Sequence, residues 1–243
     1  VDSDTAWKST PNATFLDRKI RRGTGNMRHE LAMSRAEAEA AVQAGIALAL
    51  AAHAEGVQIL GAGEMGIGNS TSAAAILSAV AAMPAKLTAG RGTGVDDAGL
   101  SQKVRVIDAA LALHRPERED GIGILSAVGG LEIAGIAGLC LGGASVGLPV
   151  LLDGFISTAG GLVAQVLNPE VNPYLLVSHR SAENAHWAMS RYLRKEPLHD
   201  LDLRLGEGTG VVLAMDSVRL AAKILREMAT FDGAGVSDRH DAL

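Results

Sequence analysis

The sequence is poor in cysteine, in aromatic residues and in clustered basic charge, and each shortage closes off a class of protein. Its one cysteine, Cys140, cannot form an internal disulfide, and the neighbours Leu139 and Leu141 mark it as a small buried hydrophobe rather than a nucleophile. Aromatics make up 3% of the 243 residues, and 22 Lys and Arg stand against 27 Asp and Glu, for a net charge of −5. With no basic stripe to neutralise phosphates and few rings to stack bases, nucleic acid is not expected as a partner. The seven histidines form neither an H-x-x-x-H nor a His–Cys grouping, so no metal or other cofactor is expected. Glu132 interrupts the apolar, glycine-rich stretch 122–152, and no membrane span is expected. The polar opening Val1-Asp2-Ser3-Asp4 leads into no apolar signal region, which fits a cytoplasmic protein. A first residue other than Met fits a piece of a longer chain.

Glycine is what the chain has in excess, 29 of 243 residues, and it clusters where apolar runs hand over to Ala-rich segments. Ser34-Arg35-Ala36-Glu37 reads as a capping box that starts a helix lasting to about residue 54. A short apolar run, 57–60, comes next, then a glycine-rich loop, 61–69, then a second helix over 70–83. After the glycines of 90–94, residues 101–114 show helical spacing. The alternation continues, with strands expected at 121–128, 150–152 and 174–177 and helices at 133–142, 158–167, 182–193 and 211–228. Strands alternating with helices predict an α/β fold, a Rossmann-like parallel sheet with helices on both faces. The division expected is an irregular leading segment over 1–33, an α/β nucleotide-binding catalytic domain over 34–230 and a tail over 231–243. The glycine clusters would then line the carboxyl edge of the sheet, where open α/β sheets bind ligands.

Gly61-Ala62-Gly63-Glu64-Met65-Gly66 satisfies the G-x-G-x-x-G pattern of dinucleotide sites. The acidic residue that should follow about 20 positions later is missing from 78–90, and Glu64 inside the turn would repel a pyrophosphate. An NAD-dependent oxidoreductase is therefore carried only as an alternative. The longer run through Gly66, Gly68, Asn69, Ser70, Thr71 and Ser72 suits a single phosphate, with backbone N–H groups at a helix start and hydroxyls beside them. The Walker pattern is absent. Arg91 and Lys103 are candidate phosphate ligands, while Asp96 and Asp97 read as helix caps rather than metal ligands. Glu64 and Glu207 both sit in glycine-flanked loops at the same sheet edge. They could meet on one ligand as an acid–base pair, with apolar neighbours raising their pKa values.

Several ordered runs go together: Gly63-Glu64-Met65-Gly66-Ile67-Gly68-Asn69-Ser70-Thr71, Gly90-Arg91-Gly92-Thr93-Gly94-Val95-Asp96-Asp97, Gly130-Leu131-Glu132-Ile133, Leu152-Asp153-Gly154-Phe155, Ser178-His179-Arg180-Ser181 and Arg204-Leu205-Gly206-Glu207-Gly208-Thr209-Gly210. Together, over about residues 18–220, they resemble the nicotinate-nucleotide:dimethylbenzimidazole phosphoribosyltransferase family. The resemblance implies transfer of a phosphoribosyl group from nicotinate mononucleotide to dimethylbenzimidazole, giving α-ribazole 5′-phosphate and nicotinate, a step in cobalamin nucleotide-loop assembly. It implies that Glu207 is the general base and Glu64 a second carboxylate of the same site. Gly66, Gly68, Asn69, Ser70, Arg91, Gly92, Lys103, Ser181, Leu205 and Gly206 would hold the substrates. It further implies a homodimer, with which the apolar stretch 129–152 is compatible, although burial within one chain explains that stretch equally well. Members of the family are longer at the N-terminus, where extra residues complete a small helical part and the pocket for the aromatic base. A non-catalytic nucleotide-binding relative is the other alternative, and the presence of both glutamates argues against it.

Overall fold

The computed structural model describes residues 15–236. Residues 1–14 of the expected leading segment and 237–243 of the expected tail lie outside the described residues. Residues 15–33 carry no helix or strand and lead into α1 (Arg35–Ala54). The capping box is formed as read: Ser34 accepts from the Glu37 backbone N–H, and the Glu37 carboxylate accepts from the Ser34 backbone N–H at 2.8 Å. The elements that follow are β1 (Leu60–Ala62), α2 (Asn69–Ala81), α3 (Ala85–Thr88), α4 (Asp97–His114), α5 (Gly121–Val128) and α6 (Leu131–Ser145). Next come β2 (Val150–Leu152), α7 (Phe155–Leu167), a 3₁₀ turn (Pro169–Tyr174), β3 (Leu175–Val177), β4 (His179–Ser181), α8 (His186–Leu193), β5 (His199–Leu203) and α9 (Thr209–Glu227).

The strands β1, β2 and β3 are parallel neighbours, with Leu60 opposite Val150 and Val150 opposite Leu175. β4 pairs in parallel with β5. Ser178 joins the two sheets, since its N–H donates to Leu152 O and its own carbonyl accepts from His199 N. Successive strand residues point to opposite faces. Leu60, Ala62, Val150, Leu152, Leu175 and Val177 enter the main core with α2, α6 and α7, whereas Leu151 meets Val211, Ala214 and Met215 of α9 on the other face. The sheet is therefore covered on both sides, the Rossmann-like arrangement expected.

One element differs in kind from the sequence reading. Residues 121–128 form α5 rather than a strand. An eight-residue run that is apolar throughout suits a buried helix as well as a buried strand. Here Asp120 decides, because its carboxylate accepts from Gly123 N at 2.9 Å and caps the helix. The Arg35 guanidinium, donating to both oxygens of Asp120, ties that cap to the first turn of α1 and holds its carboxyl below the usual range. β5 is a strand that the sequence reading leaves out, although Asp200, Leu201, Asp202 and Leu203 alternate polar with apolar; it is exposed along most of its length.

The glycine-rich face of α6 is taken up by α1. A Cβ on Gly138 would stand 1.9 Å from Val42 O, and one on Gly45 would stand 2.0 Å from Gly135 O. Cys140 lies on α6, fully buried, with its thiol pushed up to about 12 by burial, which makes it inert as a nucleophile. Among the described residues no helix is long and apolar enough to cross a membrane.

Candidate active site

The carboxyl ends of β1 and β2, and the loop after β5, meet in one place. Glu64 stands two residues past β1, and the loop continues to Gly68, whose φ of 82° opens α2 with no side-chain cap. No side chain caps that first turn, the positive end of the helix, and Thr71 N donates back to Gly68 O at 3.1 Å. Asn69, the first residue of α2, turns back and donates through Nδ2 to Glu64 Oε2 at 2.5 Å.

The loop after β5 approaches the same point. Gly206, Glu207 and Gly208 are left-handed in succession, with φ of 75°, 59° and 78°. For Glu207 this backbone is strained, by roughly 1 kcal/mol in a residue with a Cβ. The Glu207 N–H donates to Glu64 O at 3.2 Å. A Cβ on Gly63 would be 2.3 Å from Gly208 N, so the first loop needs glycine there, whereas Gly208 suits its position through its left-handed φ of 78°. The loops bearing the two glutamates are thus latched backbone to backbone.

The surroundings of Glu64 are acidic as well as buried. Burial pushes its carboxyl above the ordinary range, the charges of Glu132, Asp153 and Glu207 push in the same direction, and the Asn69 hydrogen bond opposes them. Glu132 comes from the first turn of α6, and Asp153 follows β2 directly. Asp153 is 1% exposed and accepts from Gly208 N, Gly210 N and Val211 N at 3.0, 2.7 and 3.2 Å. His179 Nε2 stands 3.7 Å from Asp153 Oδ1, and the buried Nδ1 of His179 has no hydrogen-bond partner among the described residues.

A second group of polar side chains lies beyond Asn69. Lys103 of α4 donates to Ser70 Oγ at 2.9 Å and to Gly90 O at 2.7 Å, and a Cβ on Gly92 would lie 2.9 Å from that same Ser70 Oγ. Burial lowers the Lys103 pKa, and the Glu183 charge counters it. Glu183 packs against Gly90 with one carboxylate oxygen buried and unpartnered among the described residues. Its N–H donates to Ser181 Oγ at 3.3 Å, so Ser181, at the end of β4, borders this group. Ser181 N donates to His186 Nδ1 at 2.9 Å, which leaves the proton of His186 on Nε2 for Thr158 Oγ1. A cation, two hydroxyls and the open start of α2 make a setting for a small anion next to a pair of carboxylates.

Residues 1–236 match a family described as Phosphoribosyltransferase. The nicotinate-nucleotide–dimethylbenzimidazole phosphoribosyltransferase of Roseiflexus sp. (strain RS-1) is 50% identical over 239 residues, covering 98% of this chain and 68% of the relative. The protein of the same name from Geobacter sulfurreducens is 53% identical over 238 residues, covering 98% of this chain and 66% of the relative. The chain belongs to this phosphoribosyltransferase family. The crystal structure of CobT from Thermus thermophilus matches with a TM-score of 0.89 and 45% identity, over 96% of this chain and 69% of that one.

Within this phosphoribosyltransferase fold the sequence-derived residues divide into groups. Glu64, Asn69, Gly206 and Glu207 are brought together, and so are Ser70, Gly92 and Lys103, with Ser181 at the border. Gly66 and Gly68 shape the loop between the groups. Arg91 is held in its own loop, donating to Val95 O at 2.9 Å and pairing with Asp97, so its guanidinium is committed there. Leu205 lies beside Gly206 in the loop after β5 with its side chain largely exposed. Asp96 caps α4 through Gly99 N as expected, whereas Asp97 serves Arg91 instead.

The dinucleotide alternative loses its footing, because Gly61 lies inside β1 against Val211 of α9 and the helix starts only at Asn69. A G-x-S-x-G sequence at 143–147 closes α6, with Ser145 Oγ donating to Gly142 O. It is not the strand-to-helix turn that exposes a nucleophile. Asp153, His179, Glu132 and Glu183 are the site residues that the sequence reading assigns no role. For Asp153 a signal exists, since an acid directly after an apolar run and before glycine marks the carboxyl edge of the sheet.

Proposed function

We propose that this chain transfers the phosphoribosyl group of nicotinate mononucleotide to dimethylbenzimidazole or a related base, releasing nicotinate and forming α-ribazole 5′-phosphate for cobalamin assembly. The observation that carries the reading is the latched Glu64–Glu207 pair placed beside the Lys103–Ser70 group. The 5′-phosphate would sit on Lys103, Ser70 and the first N–H groups of α2, with Gly66, Gly68, Gly92 and Ser181 shaping the pocket. This anchors the ribose with its anomeric carbon towards the two glutamates. One nitrogen of the base attacks that carbon as the bond to the pyridinium nitrogen of nicotinate breaks. The bonding electrons return to the ring nitrogen and cancel its charge, so no new anion has to be stabilised. Glu207 takes the proton from the other nitrogen of the base, and Glu64, its carboxyl raised by burial, orients the base or shares that proton. The backbone of Leu205 and Gly206 lines the base side, and Arg91 stiffens the neighbouring loop.

Residues 34–230 form the catalytic domain in this reading, which extends to a cytoplasmic homodimer. The test is to supply the chain with nicotinate mononucleotide and dimethylbenzimidazole and to measure both products by mass. Equal amounts of nicotinate and α-ribazole 5′-phosphate are expected. Nicotinate mononucleotide left intact by the folded chain in the presence of the base would overturn the proposal.

A further inference from the structure

The proposed reaction relies on a glutamate whose backbone is in a conformation that few residues adopt. Something must hold it there, because a strained φ persists only where its surroundings over-determine it. Among the described residues, two acceptors hold the 206–210 loop from outside it. Glu64 O accepts one N–H, from Glu207 itself. Asp153 accepts three, from Gly208, Gly210 and Val211, and these belong to the residue after Glu207 and to the first turn of α9. Both carboxylate oxygens are used. Asp153 is 1% exposed, and its carboxylate is satisfied by those donors and by the positive end of α9. It follows β2 directly, and Ser157 Oγ, which accepts from Asp153 N at 3.1 Å, fixes its backbone. The result is a rigid anchor from the sheet to the loop.

We propose that Asp153 is the positioning residue for the proposed general base, clamping the loop on the far side of Glu207 so that its carboxylate stays beside Glu64. This rests on the reaction proposed above for Glu207, but the clamp itself does not. Asp153→Asn tests it well, because an amide presents a donor where one of the backbone N–H donors must be received, while keeping the volume. Hydrogen exchange should then speed up at the amides of Gly208, Gly210 and Val211 and stay unchanged in β1 and β2. In turnover, kcat should fall by about 100-fold, the loss that misplacing a reacting group brings, with little change in KM for nicotinate mononucleotide. In a Glu207→Gln background the same substitution should remove almost nothing further from the residual rate.

Unchanged protection at those amides would overturn the clamp, even in a chain that shows no transfer at all. An equal loss of rate with and without Glu207 would overturn the claim that Asp153 acts through it. If Asp153→Asn does not fold, hydrogen exchange on the unaltered chain takes its place: the amides of Gly208, Gly210 and Val211 should exchange as slowly as those of β2. Fast exchange at those three amides would contradict the proposal.

Discussion

Glu64 is caught between burial and three neighbouring carboxylates, and the physical consequence reaches beyond the chemistry of the site. Its folded-state pKa is raised, so the folded protein binds a proton at Glu64 more tightly than the unfolded chain does. The ionised form therefore costs stability, and the cost appears as pH rises through the unfolded value and is complete above the folded one. Glu64→Gln, which keeps an acceptor for Asn69, should unfold at a higher temperature than the parent at neutral pH. The difference should shrink as the pH is lowered through the carboxylate range. Equal unfolding temperatures at neutral pH would contradict this. His186 behaves in the opposite direction. Burial, with the charges of His179 and Arg180, lowers its pKa from 6.5 to about 4, so the unfolded chain takes up a proton that the folded one refuses. Stability should fall as pH drops from 6.5 towards 4. His186→Gln should flatten that slope in thermal unfolding followed by circular dichroism.

At the scale of elements, α1 and α6 lie close enough for backbone to touch backbone, and two glycines of one helix should respond in opposite ways. A Cβ on Gly138 would overlap Val42 O, whereas one on Gly135 meets nothing nearer than Ala41 O at 4.0 Å. Gly138→Ala should destabilise the protein by about 3 kcal/mol through overpacking. Gly135→Ala should stabilise it by about 1 kcal/mol through helix propensity. Chemical unfolding of both variants checks the pair, and equal shifts would contradict the packing described. The same scale shows what can be read from sequence. Ser34 and Glu37 announce α1 because a capping box is a local device, complete within four residues. α5 is announced less clearly: its cap is local too, Asp120 accepting from Gly123 N, but its eight apolar residues fit a buried strand as well as a buried helix. β5 does alternate, through Asp200, Leu201, Asp202 and Leu203, but the run is short and lies at the edge with Leu201 and Asp202 turned to solvent, so it marks no buried face.

For the whole molecule, the carboxyl edge of a parallel sheet is where loops from distant parts of the sequence converge. That rule places Glu64 and Glu207 together before any coordinates are known. It leaves unseen what makes their meeting durable, because Asp153 reads as one more acid in a turn until its burial and its three N–H donors are visible. Lys103 shows its purpose only when Ser70, Gly90 and Glu183 are seen around it, and Arg91, equally promising as a cation, is committed to Val95 and Asp97. The glycine-rich stretch 129–152 is occupied by α1 within the chain, so its composition answers to internal packing. The most direct test of the paired-glutamate site is the rate of nicotinate release from nicotinate mononucleotide, with and without dimethylbenzimidazole, by the chain and by its Glu207→Gln variant. Release that depends on the base and falls by about 100-fold or more in the variant is expected of a lost general base. The same base-dependent rate in both proteins would contradict it.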